Sequence, residues 1–194
     1  MKNKLVFGLA FSINLLFLIS LILYVIYGED GPYFAIFISF LLAAYHVDAR
    51  FIFGFLGIQV IRDKINIKSR AYKVSKCEYK FLSAFKMKKW KEKYFAMDKS
   101  QFVLKDIRDK NAVELVLKNN INAELTHWLC IIAGAFSILI GCLISLDEWW
   151  IYVVTAFVVT IVVDALPIMI QRYNRYRLQS IYEKLCKKEE KQRK

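Results

Sequence analysis

The chain has 194 residues, 57% of them hydrophobic, with only 7 glycines and 2 prolines and a formal net charge of +12. So large an apolar load with so few chain breakers excludes an ordinary soluble domain and fits a small all-α integral membrane protein. The positive charge lies between and after the apolar runs, which makes anionic membrane lipids the expected partner and excludes nucleic acid.

The first apolar run, Leu5 to Tyr27, follows Lys2 and Lys4. It is too long for the core of a cleaved signal peptide and reads as a retained helix. Gly28-Glu29-Asp30-Gly31-Pro32 makes a tight turn, and a second run extends from Tyr33 to about Val60. Residues 61–122 carry 17 Lys/Arg against 7 Asp/Glu. In that basic segment, Cys77–Phe95 reads as one interfacial amphipathic helix. Asp106 to Lys118 reads as a second helix, ended by a break at Asn119-Asn120. The third span runs from about Thr126 to Leu146, Asp147-Glu148 forms a turn, and the fourth runs from Trp149 to about Ile170. The tail from Gln171 holds 9 Lys/Arg against 3 Asp/Glu and is expected to fray over Glu189–Lys194. The resulting plan is a helix pair over 1–60, a basic segment over 61–122, a second helix pair over 123–178 and a basic tail over 179–194. Basic loops stay inside, so both termini and the basic segment are expected in the cytoplasm, with the chain multi-pass in the cell membrane.

Ionisable groups inside the spans cluster by depth. At 1.5 Å of rise per residue, counted from Tyr33, His46 lies about 20 Å in, Asp48 about 22 Å and Arg50 about 25 Å. Counted from Trp149, Asp164 lies about 22 Å in. His127 and Glu124 stand at the start of the third span, and Arg172, Asn174 and Arg175 follow the fourth. A charge in hydrocarbon is costly and seldom idle, so the cluster is a candidate site. His46 and Arg50 share a helical face at i,i+4, as do Glu124 and His127 at i,i+3, while Asp48 points away from Arg50. Arg50 and Asp164 are expected to approach one another or to share a polar cavity. Pro167 places Asp164 just before an expected kink. The bland readings stand beside these: His46 as a helix–helix hydrogen bond, Arg50 snorkelling to headgroups, the Trp90 cluster as an interfacial anchor, and the four cysteines as small apolar residues. Glu-x-x-His plus a second His could hold a metal, but no HExxH or CxxC supports it, and no metal is expected.

Four stretches, in order, are similar to one family. Tyr45-His46-Val47-Asp48-Ala49-Arg50, Lys88-Lys89-Trp90-Lys91, Ala123-Glu124-Leu125-Thr126-His127-Trp128 and Gln171-Arg172-Tyr173-Asn174-Arg175-Tyr176-Arg177-Leu178 resemble the glycosyl-4,4'-diaponeurosporenoate acyltransferase family of staphyloxanthin-type pigment synthesis. Two departures are visible: Glu92-Lys93-Tyr94-Phe95 follows Trp90-Lys91 where the family tends to Leu-Pro, and Asp164 stands where Asn is expected. The resemblance implies transfer of a fatty acyl group to a sugar hydroxyl of a carotenoid glycoside. By position it makes His46, Arg50, Lys89, Trp90, Lys91, Glu124, His127, Gln171, Arg172, Asn174 and Arg175 candidate site residues. On this reading His127 is the base, oriented by Glu124, with His46 as second choice. Arg172, Arg175 and Lys91 hold donor phosphates or the oxyanion, and Asp164 joins the substrate-binding set. The co-substrate is an acyl thioester of coenzyme A or a carrier protein, with no bound cofactor. The alternatives are a non-catalytic lipid-binding or assembly protein and another enzyme of isoprenoid lipids.

Overall fold

A computed structural model of the chain describes residues 2–28, 32–93, 106–144 and 149–192. Every regular element among them is helical. Seven α-helices follow in order: α1 (Lys2–Tyr27), α2 (Tyr33–Leu56), α3 (Lys76–Ala84), α4 (Met87–Lys93), α5 (Lys110–Ile144), α6 (Trp149–Val159) and α7 (Leu166–Gln192). A π-helical stretch, Gly57–Ile61, extends α2, and another, Thr160–Ala165, joins α6 to α7. Four helical stretches are long and apolar enough to cross a membrane: Phe7–Tyr27, Tyr33–Leu56, Lys110–Leu139 and Ala156–Gln192. Residues 145–148 and 29–31, where the two turns are expected, lie outside the described residues.

The chain forms two compact units. The first takes residues 1–53 and 129–162. Within it α1 and α2 form an antiparallel pair zipped by aromatic rings. Tyr27 stacks on Tyr33 at 4.6 Å, Tyr24 on Phe37 at 5.0 Å and Phe7 on Phe51 at 5.4 Å. Offset-stacked rings at such spacings add to the burial of their area. Outward-facing Phe11, Val25 and Leu143 remain largely exposed, as lipid-facing side chains would.

The second unit takes residues 54–128 and 163–194. Its core is Leu82, Met87, Ile170 and Tyr173, with Tyr79 and Met169 against it. Ser75 caps α3 by accepting from the Glu78 amide at 3.1 Å, and the Ser-x-x-Glu spacing is that of a capping box. α3 stops at Ala84 because Lys86 adopts a left-handed conformation, φ 55°. The expected single helix over Cys77–Phe95 is therefore two short ones, and Tyr94 and Phe95 lie outside the described residues. The break has a packing cause. On one continuous helix Leu82 and Met87 would face about 140° apart; the turn brings both onto α7.

The expected break at Asn119-Asn120 does not occur, and α5 runs unbroken from Lys110. Its start is capped by Asp109, whose carboxylate accepts from the Asn111 amide at 2.8 Å. Asparagine disfavours helix interiors because its side chain competes for the backbone. Here Asn120 spends its side chain on α7 instead, donating to Gln171 and accepting from Arg175 Nε at 2.9 Å. Pro167 behaves as expected of a breaker: the wide turn Thr160–Ala165 lies directly before it, over the carbonyls the ring would crowd. α7 then continues to Gln192, through the stretch expected to fray from Glu189.

Candidate functional site

The second unit holds most of the candidate residues. α5 supplies Asn120, Glu124 and His127, α3 supplies Glu78, the π-helical stretch supplies Asp164, and α7 supplies Gln171, Arg172 and Arg175. They fall into two groups with different chemistry.

The first group is a histidine–carboxylate pair. His127 Nδ1 lies 3.0 Å from Asp164 Oδ1. The Asp164 side chain is 1% exposed and that of His127 is 25% exposed. A neutral imidazole has one donor nitrogen and one acceptor nitrogen. With Nδ1–H donated to the carboxylate, Nε2 carries the lone pair. A buried carboxylate thus fixes the tautomer of a ring that still reaches its surroundings, which is the geometry of a general base. Sequence spacing named Glu124 as the orienting group. In the second unit the carboxylate on the His127 ring is Asp164.

The second group is a neutral cluster of two carboxylates and two guanidiniums. Arg172 grips Glu78 with two nitrogens, Nη2 to Oε2 at 3.0 Å and Nε to Oε1, and its Nη1 reaches Glu124 Oε1 at 2.9 Å. Arg175, 0% exposed, pairs with Glu124 Oε2 through Nη2. Its Nε bonds Asn120. Trp128 Nε1 donates to Glu124 Oε1 at 3.4 Å. Glu124 is thereby engaged by two arginines and an indole, which is why it does not serve the His127 ring. Bidentate guanidinium–carboxylate pairs are directional; this set pins α3 and α5 to α7. Arg172 holds the Glu78 carboxyl below the ordinary carboxylate range through its hydrogen bonds, against a smaller opposing effect of burial.

The remaining candidates divide by place. Lys89 and Trp90 are exposed on α4, and Phe81 and Phe85 are exposed ahead of it in the chain. The side chain of Lys91 lies outside the described residues. Asn174 is half-buried on α7.

The first unit contains its own polar set. His46 is 7% exposed, and its Nε2 lies 3.3 Å from Ser137 Oγ. The Ser137 hydroxyl donates to Gly134 O at 2.6 Å, so the ring nitrogen is the donor to Oγ. Tyr45 OH donates to Ala133 O at 2.9 Å. Arg50 Nη1 donates to His46 O at 2.6 Å, and Asp48 Oδ1 accepts from Asn14 Nδ2 at 3.0 Å. These bonds tie α2 to α5 and α1, with the His46 Nε2–H already committed.

Sequence reasoning missed two members. Glu78 was signalled by its capping-box spacing from Ser75, although nothing local pointed to Arg172. Asn120 was read as a helix break, where its buried side chain is the hinge of the α5–α7 contact.

No group of three or more His, Cys, Asp or Glu side chains among the described residues could hold a metal ion. A family model described as glycosyl-4,4'-diaponeurosporenoate acyltransferase matches residues 68–184. That stretch contains Glu78, Asn120, Glu124, His127, Asp164, Arg172 and Arg175, and leaves out His46 and Arg50. Neither a curated protein nor a solved structure matches the chain.

Proposed function

Because the chain belongs to the glycosyl-4,4'-diaponeurosporenoate acyltransferase family, and is thereby an acyltransferase, we propose that it works within the cell membrane. There it would move a fatty acyl group from a thioester donor to a hydroxyl of a glycosylated carotenoid or similar lipid. The observation that carries the reading is the His127–Asp164 pair, at 3.0 Å, inside the stretch the family model matches.

The chemistry runs through Nε2 of His127. It takes the proton of the acceptor hydroxyl as the oxygen attacks the thioester carbonyl carbon. A tetrahedral intermediate forms with its charge on the former carbonyl oxygen. Collapse breaks the C–S bond, and the imidazolium returns the proton to the leaving sulfur. Asp164 holds Nδ1–H throughout and steadies the imidazolium. Among the cations, Arg172 is a quarter exposed and stays within reach of a donor, whereas buried Arg175 holds Glu124 in place. Both roles differ from a direct grip by each on donor phosphate, because each guanidinium already has a carboxylate.

Four apolar spans and the excess of lysine and arginine over 61–122 and the tail support a multi-pass chain with both termini and that segment on the cytoplasmic side. Phe81, Phe85 and Trp90, exposed among lysines on α3 and α4, would rest in the anionic headgroup layer. The acceptor's apolar chain would stay in hydrocarbon while a water-soluble donor arrives from the basic side.

The test is reconstitution. The full chain in bilayer vesicles, given labelled acyl-coenzyme A and a glycosylated carotenoid acid, should yield the sugar ester. Hydrolysis of the donor with no ester on this or any other hydroxylated lipid would overturn the reading.

A further inference from the structure

A cavity of about 350 Å³ opens in the second unit, away from the residues of the proposed chemistry. Its walls are the irregular segment after α2, the start of α5 and the later half of α7. Lys68, Lys73 and Lys187 line it, with Ser69 and with Tyr182, whose hydroxyl donates to Glu114 at 3.3 Å. Two carboxylates, Glu183 and Glu190, also line it, so the walls keep an excess of positive charge. Lys73 stands 3.9 Å from Glu183. Among the described residues Lys68 and Lys187 make no ion pair.

The wall carrying Lys68 and Lys73 is fixed in place. Ile65 and Val74 are buried at its two ends. Between them Ser69 caps a short helical turn. Gln179 of α7 clamps the segment from both sides, accepting from the Val74 amide at 3.2 Å and donating to the Tyr72 carbonyl at 3.0 Å. A preformed concavity of this size with a few convergent donors suits a small ligand. Lysines and the Ser69 hydroxyl over a short apolar floor suit a phosphate ester.

Position selects the phosphate ester. Leu117, on the cavity wall, and His127 stand on the same helix, α5, ten residues apart. That is about 15 Å along the axis, a gap that an extended pantetheine chain covers. We infer that this cavity holds the phosphate-bearing end of a pantetheine-type acyl donor such as coenzyme A, with the thioester reaching along α5 to His127. The inference rests on the proposed acyl transfer and adds the donor's docking site to it.

The experiment measures binding without acceptor or turnover. The full chain in lipid nanodiscs is titrated with coenzyme A and, separately, with pantetheine, which lacks the nucleotide and its phosphates. The double variant Lys68→Ala/Lys187→Ala should weaken coenzyme A roughly tenfold, the factor that 1.4 kcal/mol represents, and leave pantetheine unmoved. Lys187→Glu should weaken coenzyme A as well, by repulsion. Equal affinity for coenzyme A in wild type and double variant would overturn the site, as would an equal loss for pantetheine. A double variant that loses affinity for phosphatidylglycerol vesicles but not for coenzyme A would also overturn it and assign the cavity to a lipid headgroup. Coenzyme A binding that depends on the lysines, in a chain that forms no ester, would leave the cavity in place and remove the proposed reaction alone.

Discussion

His127 and Asp164 stand 37 residues apart in the chain and 3.0 Å apart in space. Removing the carboxylate's charge without its shape is the sharpest single-residue probe. Asp164→Asn offers the ring an amide that can donate as well as accept, and so permits the wrong tautomer. The expected loss in acyl transfer is about 10²–10⁴-fold, the range a positioned base supplies. Initial rates across pH measure it, and a wild-type rate in Asp164→Asn would exclude the pair from the mechanism. Glu78 gives a second, purely structural test. Its carboxyl is held below its ordinary value of 4.5 by Arg172. The pairing therefore stabilises the fold above that value and is lost as pH falls through the lower, folded one. Melting temperature followed downward from neutral pH should drop more steeply in wild type than in Glu78→Gln. Parallel curves would show that the pairing contributes nothing. His127 was legible in the sequence as one of only two histidines. Its partner was not, because helical spacing lists neighbours on one helix and favoured Glu124. Only the tertiary structure shows that Glu124 is already engaged by Arg172, Arg175 and Trp128.

At the scale of elements, close approaches and turns decide what the helices can be. A Cβ built on Gly57 would lie 2.9 Å from Asn122 Oδ1 and 3.0 Å from Thr126 Oγ1. The π-helical end of α2 therefore touches α5 without a side chain between them. Gly57→Leu should destabilise the chain by about 1–3 kcal/mol, the usual cost of overpacking, read as a lower melting temperature in detergent. An unchanged melting temperature would mean the contact opens freely. At the α3–α4 turn, Lys86 sits at φ 55°, where a side chain is disfavoured and glycine is not. Lys86→Gly should hold or raise the melting temperature and Lys86→Val should lower it. The reverse order would mean that the turn is not kept in the folded chain. Helices α1 and α2 were legible because unbroken apolar runs leave few alternatives. The α3–α4 break and the continuity of α5 were not, because both are decided by what reaches α7: Leu82 and Met87 in one case, Asn120 in the other.

For the molecule as a whole, the proposed orientation rests on charge asymmetry. Cys77 is exposed on the basic segment and gives a native probe of it. In intact cells an impermeant thiol reagent should reach a cysteine placed at Asp30 or Glu148 and leave Cys77 unmodified. Modification of Cys77 from outside would reverse the orientation. In the proposed mechanism His127 carries the chemistry, while His46 in the first unit ties helices together. The direct measurement is transfer of labelled acyl groups to a glycosylated carotenoid acid by membranes holding equal amounts of wild type, His127→Ala and His46→Ala. The expected result is a loss of about 10²–10⁴-fold in His127→Ala and substantial transfer in His46→Ala. Wild-type transfer by His127→Ala would contradict it.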